Sequence, residues 1–378
     1  MSERVGHISA SSIAAYKACP ERYHIGYVEA LRVDQEPQPL RFGTGWHIGK
    51  EFLKNGKSLE EAVLAATEVY TTIPEWADPT EWAVEREVLA NALAAYHWLY
   101  SEDQTYETIS TELSFELPLR NPETGRATPS MVRVGKIDEI MRNRTTGVLL
   151  IGENKTTGKP IDSGSSYWSR LRLDTQSMFY ILAAREVFPT AGQISGLLHE
   201  VFHKPTIKPK MLTQAETKAF VDGETKGQYC GQTFNVEGTI IDGTQADIEM
   251  GVEPKPKKDG TCDPRKWALR ETPGMYGARL LQDLTTRPDF YFVRREVAFT
   301  DDQLRAFEHQ LWALQQNMNQ MEKTGRWFRN EFSCESTFKC PYCPLCYFDI
   351  DVFHGQTPPG FRRLRVEAVE QAEVGGAE

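Results

Sequence analysis

The chain has 378 residues, 40% hydrophobic and 25% charged, with a formal net charge of −10. That profile excludes a fibrous or wholly disordered chain, and no stretch approaches the ~20 apolar residues of a membrane span. The acidic balance excludes indiscriminate attraction to polyanions, so a nucleic-acid site would have to be a local basic groove. The N-terminus MSERVGHISASS lacks a signal-peptide core, so a cytoplasmic protein is expected. Seven cysteines in a reducing compartment are not expected to form disulfides. Their distribution is uneven: Cys19 stands alone, Cys230 and Cys262 are isolated, and Cys334, Cys340, Cys343 and Cys346 crowd into thirteen residues.

In chain order, Ser residues in ISASSIAAYKACPERY offer helix caps, and Pro20 interrupts or restarts that helix. Gly43 and Gly45 precede a helix expected from about Trp46, on which His47 and Glu51 are four apart and share a face. Leu59–Thr71 and Glu81–Tyr100 carry apolar stripes of helical period. Residues 107–119 alternate as a half-buried strand.

Residues 131–155, MVRVGKIDEIMRNRTTGVLLIGENK, read as a β-hairpin whose polar loop ends at Gly147. Alternation puts Glu153 and Lys155 on one face of the second arm. If Asp138 lies opposite Ile151 it shares that face, and a one-residue slip would reverse it. Two carboxylates so placed can share a metal ion. A surface hairpin with scattered charges has the same local pattern, so the rest of the chain must decide.

A polar loop at 156–166 follows, then a helix over 167–187 bearing Gln176 and Tyr180 one turn apart, with Arg170 and Arg172 upstream. A strand is expected at 194–203 and a basic stretch at Lys204, Lys208 and Lys210. A helix is expected near 214–222, and the Pro- and Gly-rich run at 250–266 reads as an exposed loop. A helix at 277–285, a strand at 289–297 and a helix at 301–323 lead to an acidic tail, 351–378, expected to be disordered. The order of elements predicts an α/β protein with a mixed sheet flanked by helices.

Taken together these residues resemble the PD-(D/E)XK nuclease superfamily, in its RecB-like branch with the iron–sulfur exonucleases of CRISPR and AddB type. His47 in GTGWH, Asp138 in GKID, Glu153-Asn154-Lys155, and Gln176-Ser177-Met178-Phe179-Tyr180 match four family motifs in the family's order. Cys19 in a C-P-x-x-Y context and the C-terminal cysteines, preceded by WFRN, match a fifth feature. The match spans Ile8 to Cys346.

The resemblance implies a restriction-endonuclease-like core in one domain over 1–350. Residues 8–30 and 326–350 would form an iron–sulfur module joining the N- and C-terminal segments. It implies Mg²⁺ or Mn²⁺ held by Asp138, Glu153, His47 and the carbonyl of Asn154. Lys155 would hold the attacking water, Gln176 and Tyr180 would position the lysine or the DNA end, and Glu51 would be auxiliary. DNA is the implied partner, single-stranded or at duplex ends, with Arg170, Arg172, Lys204, Lys208 and Lys210 as candidate groove residues. The implied activity is an exonuclease of DNA repair, recombination or phage DNA processing, with a helicase or recombination partner to open duplexes. A nuclease fold that only grips DNA is the rival reading.

The cysteine spacing, C-x5-C-x2-C-x2-C, departs from the better-known family order C-x2-C-x5-C. The expected set is Cys19, Cys334, Cys340 and Cys346 around a 4Fe–4S cluster, with Cys343 as the alternative ligand and zinc as the less favoured metal. Cys230 and Cys262 are expected to be dispensable.

Overall fold

The long hairpin forms the spine of the sheet. The computed structural model describes residues 6–34, 38–188, 194–213, 215–217, 228–234, 252–256, 258, 262–336, 339–352 and 357–364. The first half of the chain runs β1 (Gly6–Ile8), α1 (Ala10–Ala18), α2 (Pro20–Tyr23), β2 (Leu31–Val33), α3 (Gln38–Lys54), α4 (Leu59–Thr67) and α5 (Pro79–Tyr100). The sheet core follows as β3 (Tyr106–Arg120), β4 (Ala127–Asn143), β5 (Leu149–Thr157), α6 (Ser166–Leu171), α7 (Thr175–Val187) and β6 (Gly196–His203). Two short antiparallel pairs come next, β7 (Gln228–Tyr229) with β8 (Gln232–Thr233), and β9 (Val252–Pro256) with β10 (Cys262–Leu269). The chain continues with α8 (Pro273–Thr286), α9 (Pro288–Tyr291), β11 (Phe292–Ala298), α10 (Asp301–Thr324), α11 (Cys343–Tyr347) and β12 (Phe361–Arg363).

Six strands form the central sheet in the order β1-β4-β5-β6-β11, with β3 also paired to β4. The β1–β4 and β5–β6 pairs are parallel, while β3–β4, β4–β5 and β6–β11 are antiparallel, so the sheet is mixed. With β3 along one edge of β4, the other edge takes β1 at residues 131–133 and β5 at 139–142. Asp138 falls in the gap between these two neighbours.

Apolar side chains cover both sheet faces. On one, Ile140, Ile151 and Leu197 pack with Ile13 and Tyr16 of α1, Trp168 of α6, Phe179 and Ile181 of α7, and Leu304 and Phe307 of α10. On the other, Phe202 and Phe292 pack with Phe42 and Trp46 of α3, Leu89 and Leu93 of α5, and Leu280 of α8. Local chemistry starts and stops the helices. Ser9, Ser58 and Thr300 close capping boxes on α1, α4 and α10, and Gly325, at φ 62°, ends α10 in the left-handed region.

Several expectations change. The helix carrying His47 begins at Gln38 rather than Trp46 and runs through Gly43 and Gly45. The helix expected over 167–187 is two helices, because Asp174 accepts from the Ser177 N–H and caps α7 afresh. The run at 250–266, read as a loop, contributes β9 and the start of β10. The strand expected at 289–297 is preceded by the short α9 and runs 292–298. Within the expected disordered tail, β12 pairs antiparallel with β2. The helix expected at 214–222 is described only over 215–217, and residues beyond 364 lie outside the described residues.

The two ends of the chain meet. Ile25, Leu31, Tyr342, Leu345 and Val352 share a small core, and the Tyr342 hydroxyl donates to the Leu31 carbonyl at 2.8 Å. Among the described residues no helix is long and apolar enough to cross a membrane.

Candidate active site

The hairpin register settles which residues share a face. Ile140, not Asp138, pairs with Ile151, and the ladder ends at Glu139–Gly152. Carried one step on, that register puts Asp138 level with Glu153 itself. The parity needed for a shared site holds, and the diagonal placement expected from the sequence is replaced by a closer, direct one.

α3 brings the third group. His47 Nδ1 stands 3.2 Å from Asp138 Oδ2. Lys155 Nζ lies 2.6 Å from Glu153 Oε1 and donates to Gln176 Oε1 at 2.5 Å. Gln176 is placed by the first turn of α7, which Asp174 caps. One turn further, Tyr180 packs edge-on against Phe115, ring centres 6.1 Å apart. His47, Asp138, Glu153, Lys155 and Gln176 thus lie together. Glu51 is half-buried, and the ionic contacts of α3 to the sheet run instead through Lys50 and Lys54.

The charges are interdependent. Burial would lower the His47 pKa, but the Asp138 carboxylate overrides it and raises the imidazole above its ordinary value. Burial likewise pushes Asp138 up, and His47, Lys155 and the Asn154 backbone N–H more than reverse this, leaving it depressed. Glu153, only 2% exposed, goes the other way: burial and the nearby Asp138 charge raise it despite Lys155. Burial opposes the charge on Lys155, and Glu153 restores it and raises its pKa. Two carboxylates this close repel when both are ionised, and here two cationic side chains hold them.

The donor set suits a hard divalent cation. Asp138 and Glu153 supply carboxylate oxygens and His47 a ring nitrogen, and Glu153 Oε2 is buried with no hydrogen-bond partner among the described residues. Strand alternation turns the Asn154 side chain to the opposite face, so its main-chain carbonyl is the only atom it could offer. Among the described residues no three His, Cys, Asp or Glu side chains stand at metal-coordinating spacing.

A cleft of about 610 Å³ opens beside Gln176, lined among others by Ser11, Thr157, Lys159, Tyr167, Arg170 and Leu173. Arg170 faces it, and Arg172 is exposed nearby. Lys204, Lys208 and Lys210 are not part of this lining. Lys204 Nζ lies 4.5 Å from the centre of the Phe42 ring, Lys210 pairs with Glu216 at 4.0 Å, and the Lys208 carbonyl accepts from Arg279 of α8.

At the joined ends, Cys19 accepts from the Asn330 backbone N–H at 3.3 Å, and the Cys340 N–H donates to the Cys334 carbonyl at 2.8 Å. Cys343 is buried, and its thiol donates to the Cys334 carbonyl at 3.4 Å. Burial and then the neighbouring Cys343 and Cys19 raise the Cys334 pKa. Burial is also the leading cause at Cys340, and at Cys346, which is pushed up to about 11.

Sequence reasoning missed a buried ionic group on the other face of the sheet. Lys50, 1% exposed, pairs with Glu200, 3% exposed, which also meets Tyr96 and Arg294. It missed His199 too, wholly buried and paired across the ladder with Glu153. The signal was present: His199 and Glu200 interrupt the apolar run of β6, every residue of which is buried.

No curated protein matches the chain. A family model does, over residues 7–346, taking in the site residues and the clustered cysteines, and so the chain belongs to the PD-(D/E)XK nuclease superfamily.

Proposed function

We propose that the protein is a divalent-metal-dependent deoxyribonuclease of the RecB-like branch, working from DNA ends as an exonuclease. The observation that carries this reading is the meeting of His47, Asp138, Glu153 and Lys155 at the splayed end of the β4–β5 ladder, with Gln176 clamping the lysine. Nucleases of this superfamily use ions such as Mg²⁺ or Mn²⁺. Held by Asp138, Glu153, His47 and the Asn154 carbonyl, such an ion supplies Lewis acidity toward a phosphoryl oxygen and acidifies water.

The chain's own residues do the rest. The Lys155 ammonium orients the attacking water and offsets negative charge as it grows on the phosphoryl oxygens. Gln176 fixes that ammonium in place. Water oxygen bonds to phosphorus, the bond to the leaving oxygen breaks, and the proton lost by water is balanced by one gained at the leaving oxygen. Arg170 and Lys159 neutralise phosphates along the cleft.

The reading includes a structural 4Fe–4S cluster on Cys19, Cys334, Cys340 and Cys346, and the meeting of the two cysteine-bearing ends favours it. Burial raises the pKa of the Cys334, Cys340 and Cys346 thiols, which would ionise readily where a cation shares their charge. Such a cluster would staple the two ends across more than 300 residues. The reading extends to a partner that opens duplex substrates in repair, recombination or phage DNA processing, in the cytoplasm.

The test is digestion of end-labelled DNA, single- and double-stranded, linear and circular, with Mg²⁺, Mn²⁺ or chelator. Linear DNA should be shortened from its ends with metal and not with chelator, and Lys155→Ala should abolish cleavage while DNA binding persists. Wild-type protein that binds DNA and leaves all four substrates intact in both metals would establish the non-cleaving rival instead. Cutting of circles would refute the end requirement.

A further inference from the structure

We infer that the buried ionic contacts from Lys50 and Lys54 to Glu200 and Glu139 form a positioning latch that sets His47 against Asp138. The inference rests on the nuclease reading and concerns residues that reading leaves without a role. His47, Lys50 and Lys54 lie three and four residues apart on α3, so they share the helix face turned to the sheet. The first reaches Asp138. The second pairs with Glu200. The third stands 3.3 Å from Glu139 Oε2 and 3.8 Å from Glu200 Oε2, spanning from β4 to β6 over β5.

The sheet is shaped to receive these contacts. Glu200 is a fixed post: besides the lysines it accepts from Tyr96 at 3.0 Å and pairs with Arg294 at 2.5 Å, and Arg294 pairs in turn with Asp103 at 2.5 Å. Glu139 follows Asp138 in the chain, so anchoring its side chain fixes the strand segment from which Asp138 projects. Gly152, between them on β5, leaves the room: a Cβ there would stand 2.3 Å from Glu139 Cγ. Helix and sheet are therefore tied together at Lys50 and Lys54, one and two turns along α3 from the His47–Asp138 contact.

Stability alone does not account for this arrangement. Buried ion pairs return little net stability against apolar groups of like size, and apolar contact already seats α3, with Trp46 stacked on Phe202 at 5.1 Å. Apolar contact is non-directional and tolerates small slides of a helix. Directional contacts at fixed oxygens set its register, and residues that orient metal ligands characteristically change metal affinity when lost.

The experiment is Mn²⁺ titration of the full-length protein by calorimetry without DNA, with thermal melts of every variant. Lys50→Met leaves Glu200 compensated by Arg294 and Lys54, and Lys54→Met is the milder second variant should Lys50→Met fold poorly. Each should bind Mn²⁺ about tenfold more weakly while still melting cooperatively. Because the latch acts through His47, adding Lys50→Met to His47→Ala should cause no further loss. Wild-type Mn²⁺ affinity in folded Lys50→Met and Lys54→Met overturns the latch. So does an undiminished Lys50→Met effect in the His47→Ala background, which would mark general loosening. A wild type that binds no Mn²⁺, or binds it unaffected by Asp138→Ala, removes the nuclease reading and the latch with it.

Discussion

Gly45→Ala tests how closely α3 must seat for His47 to reach Asp138. A Cβ at Gly45 would stand 2.7 Å from the Ala66 carbonyl oxygen and 2.5 Å from Leu89 Cδ2. The leucine tip can rotate away, whereas the carbonyl belongs to the α4 backbone. Ordinary contact begins at 3.4 Å, so α3 must retreat by about 0.7 Å. Overpacking of this kind costs about 1–3 kcal/mol, against which alanine gains about 1 kcal/mol over glycine in a helix interior. The expected net is a loss of up to about 2 kcal/mol. His47 lies two residues on, so the displacement reaches the site, and cleavage should fall about tenfold or more, since an ångström of misplacement can cost ~10²-fold. Gly43→Ala is the internal control: among the described residues nothing beyond its own turn of α3 lies within 4 Å of a Cβ there, so it should gain about 1 kcal/mol and cut normally. Thermal melts and initial rates at saturating Mn²⁺ read both variants. A Gly45→Ala protein with wild-type melting and rate refutes the reasoning, as does Gly43→Ala losing as much.

Three further outcomes follow from the same geometry. Arg170→Glu should weaken DNA binding and lower the salt dependence of affinity by about one unit of log–log slope, whereas Lys210→Glu, already tied to Glu216, should do neither; equal effects in filter-binding titrations would dissolve the distinction. Cys19→Ser should strip iron and sulfide from anaerobically purified protein and expose both termini to protease, with Cys343→Ser retaining them; the reverse pattern would move the ligand assignment to Cys343. His199, whose pKa burial and then Lys155 lower from 6.5 to about 4, should make the metal-free protein lose stability as pH falls through that window, because the unfolded chain takes a proton the folded one refuses. The shift corresponds to roughly 3 kcal/mol, and denaturant melts of His199→Gln that keep the wild-type pH slope would assign the loss elsewhere.

Much of the fold was legible because its signals are local. The alternation of residues 107–119 and the stripes of α4 and α5 each report a period set by backbone geometry, and the polar loop closing at Gly147 marks the turn between two such runs. What misled was local chemistry overruled by tertiary contact. Gly43 and Gly45 read as breakers before Trp46, yet α3 runs through both, and at Gly45 the missing side chain is what lets α3 lie against α4. The prolines and charges at 250–266 suggested a loop, yet β9 and β10 pair there. The strand β12 is three residues long, too short to show a period, and exists through its partner β2, more than 300 residues away.

The site divides in the same way. The residues proposed to act on DNA were legible because that chemistry restricts residue type: hard cations call for carboxylates, and a developing negative charge calls for a lysine nearby. Spacing along a strand then fixed which of those groups could meet. The layer behind carries no such restriction. Lys50 and Glu200 are common residue types, and their pairing across 150 positions depends on α3 and β6 lying on one another. Only their setting betrays them, a glutamate inside a strand buried along its whole length and a lysine with 1% of its surface exposed. A charge in such a place must be matched by another from elsewhere in the chain. A buried glutamate in an apolar strand therefore predicts that a cation will be delivered to it, and leaves open which helix delivers it. Here the helix is α3, so Lys50, which compensates Glu200, and His47, which meets Asp138, are carried on one helix.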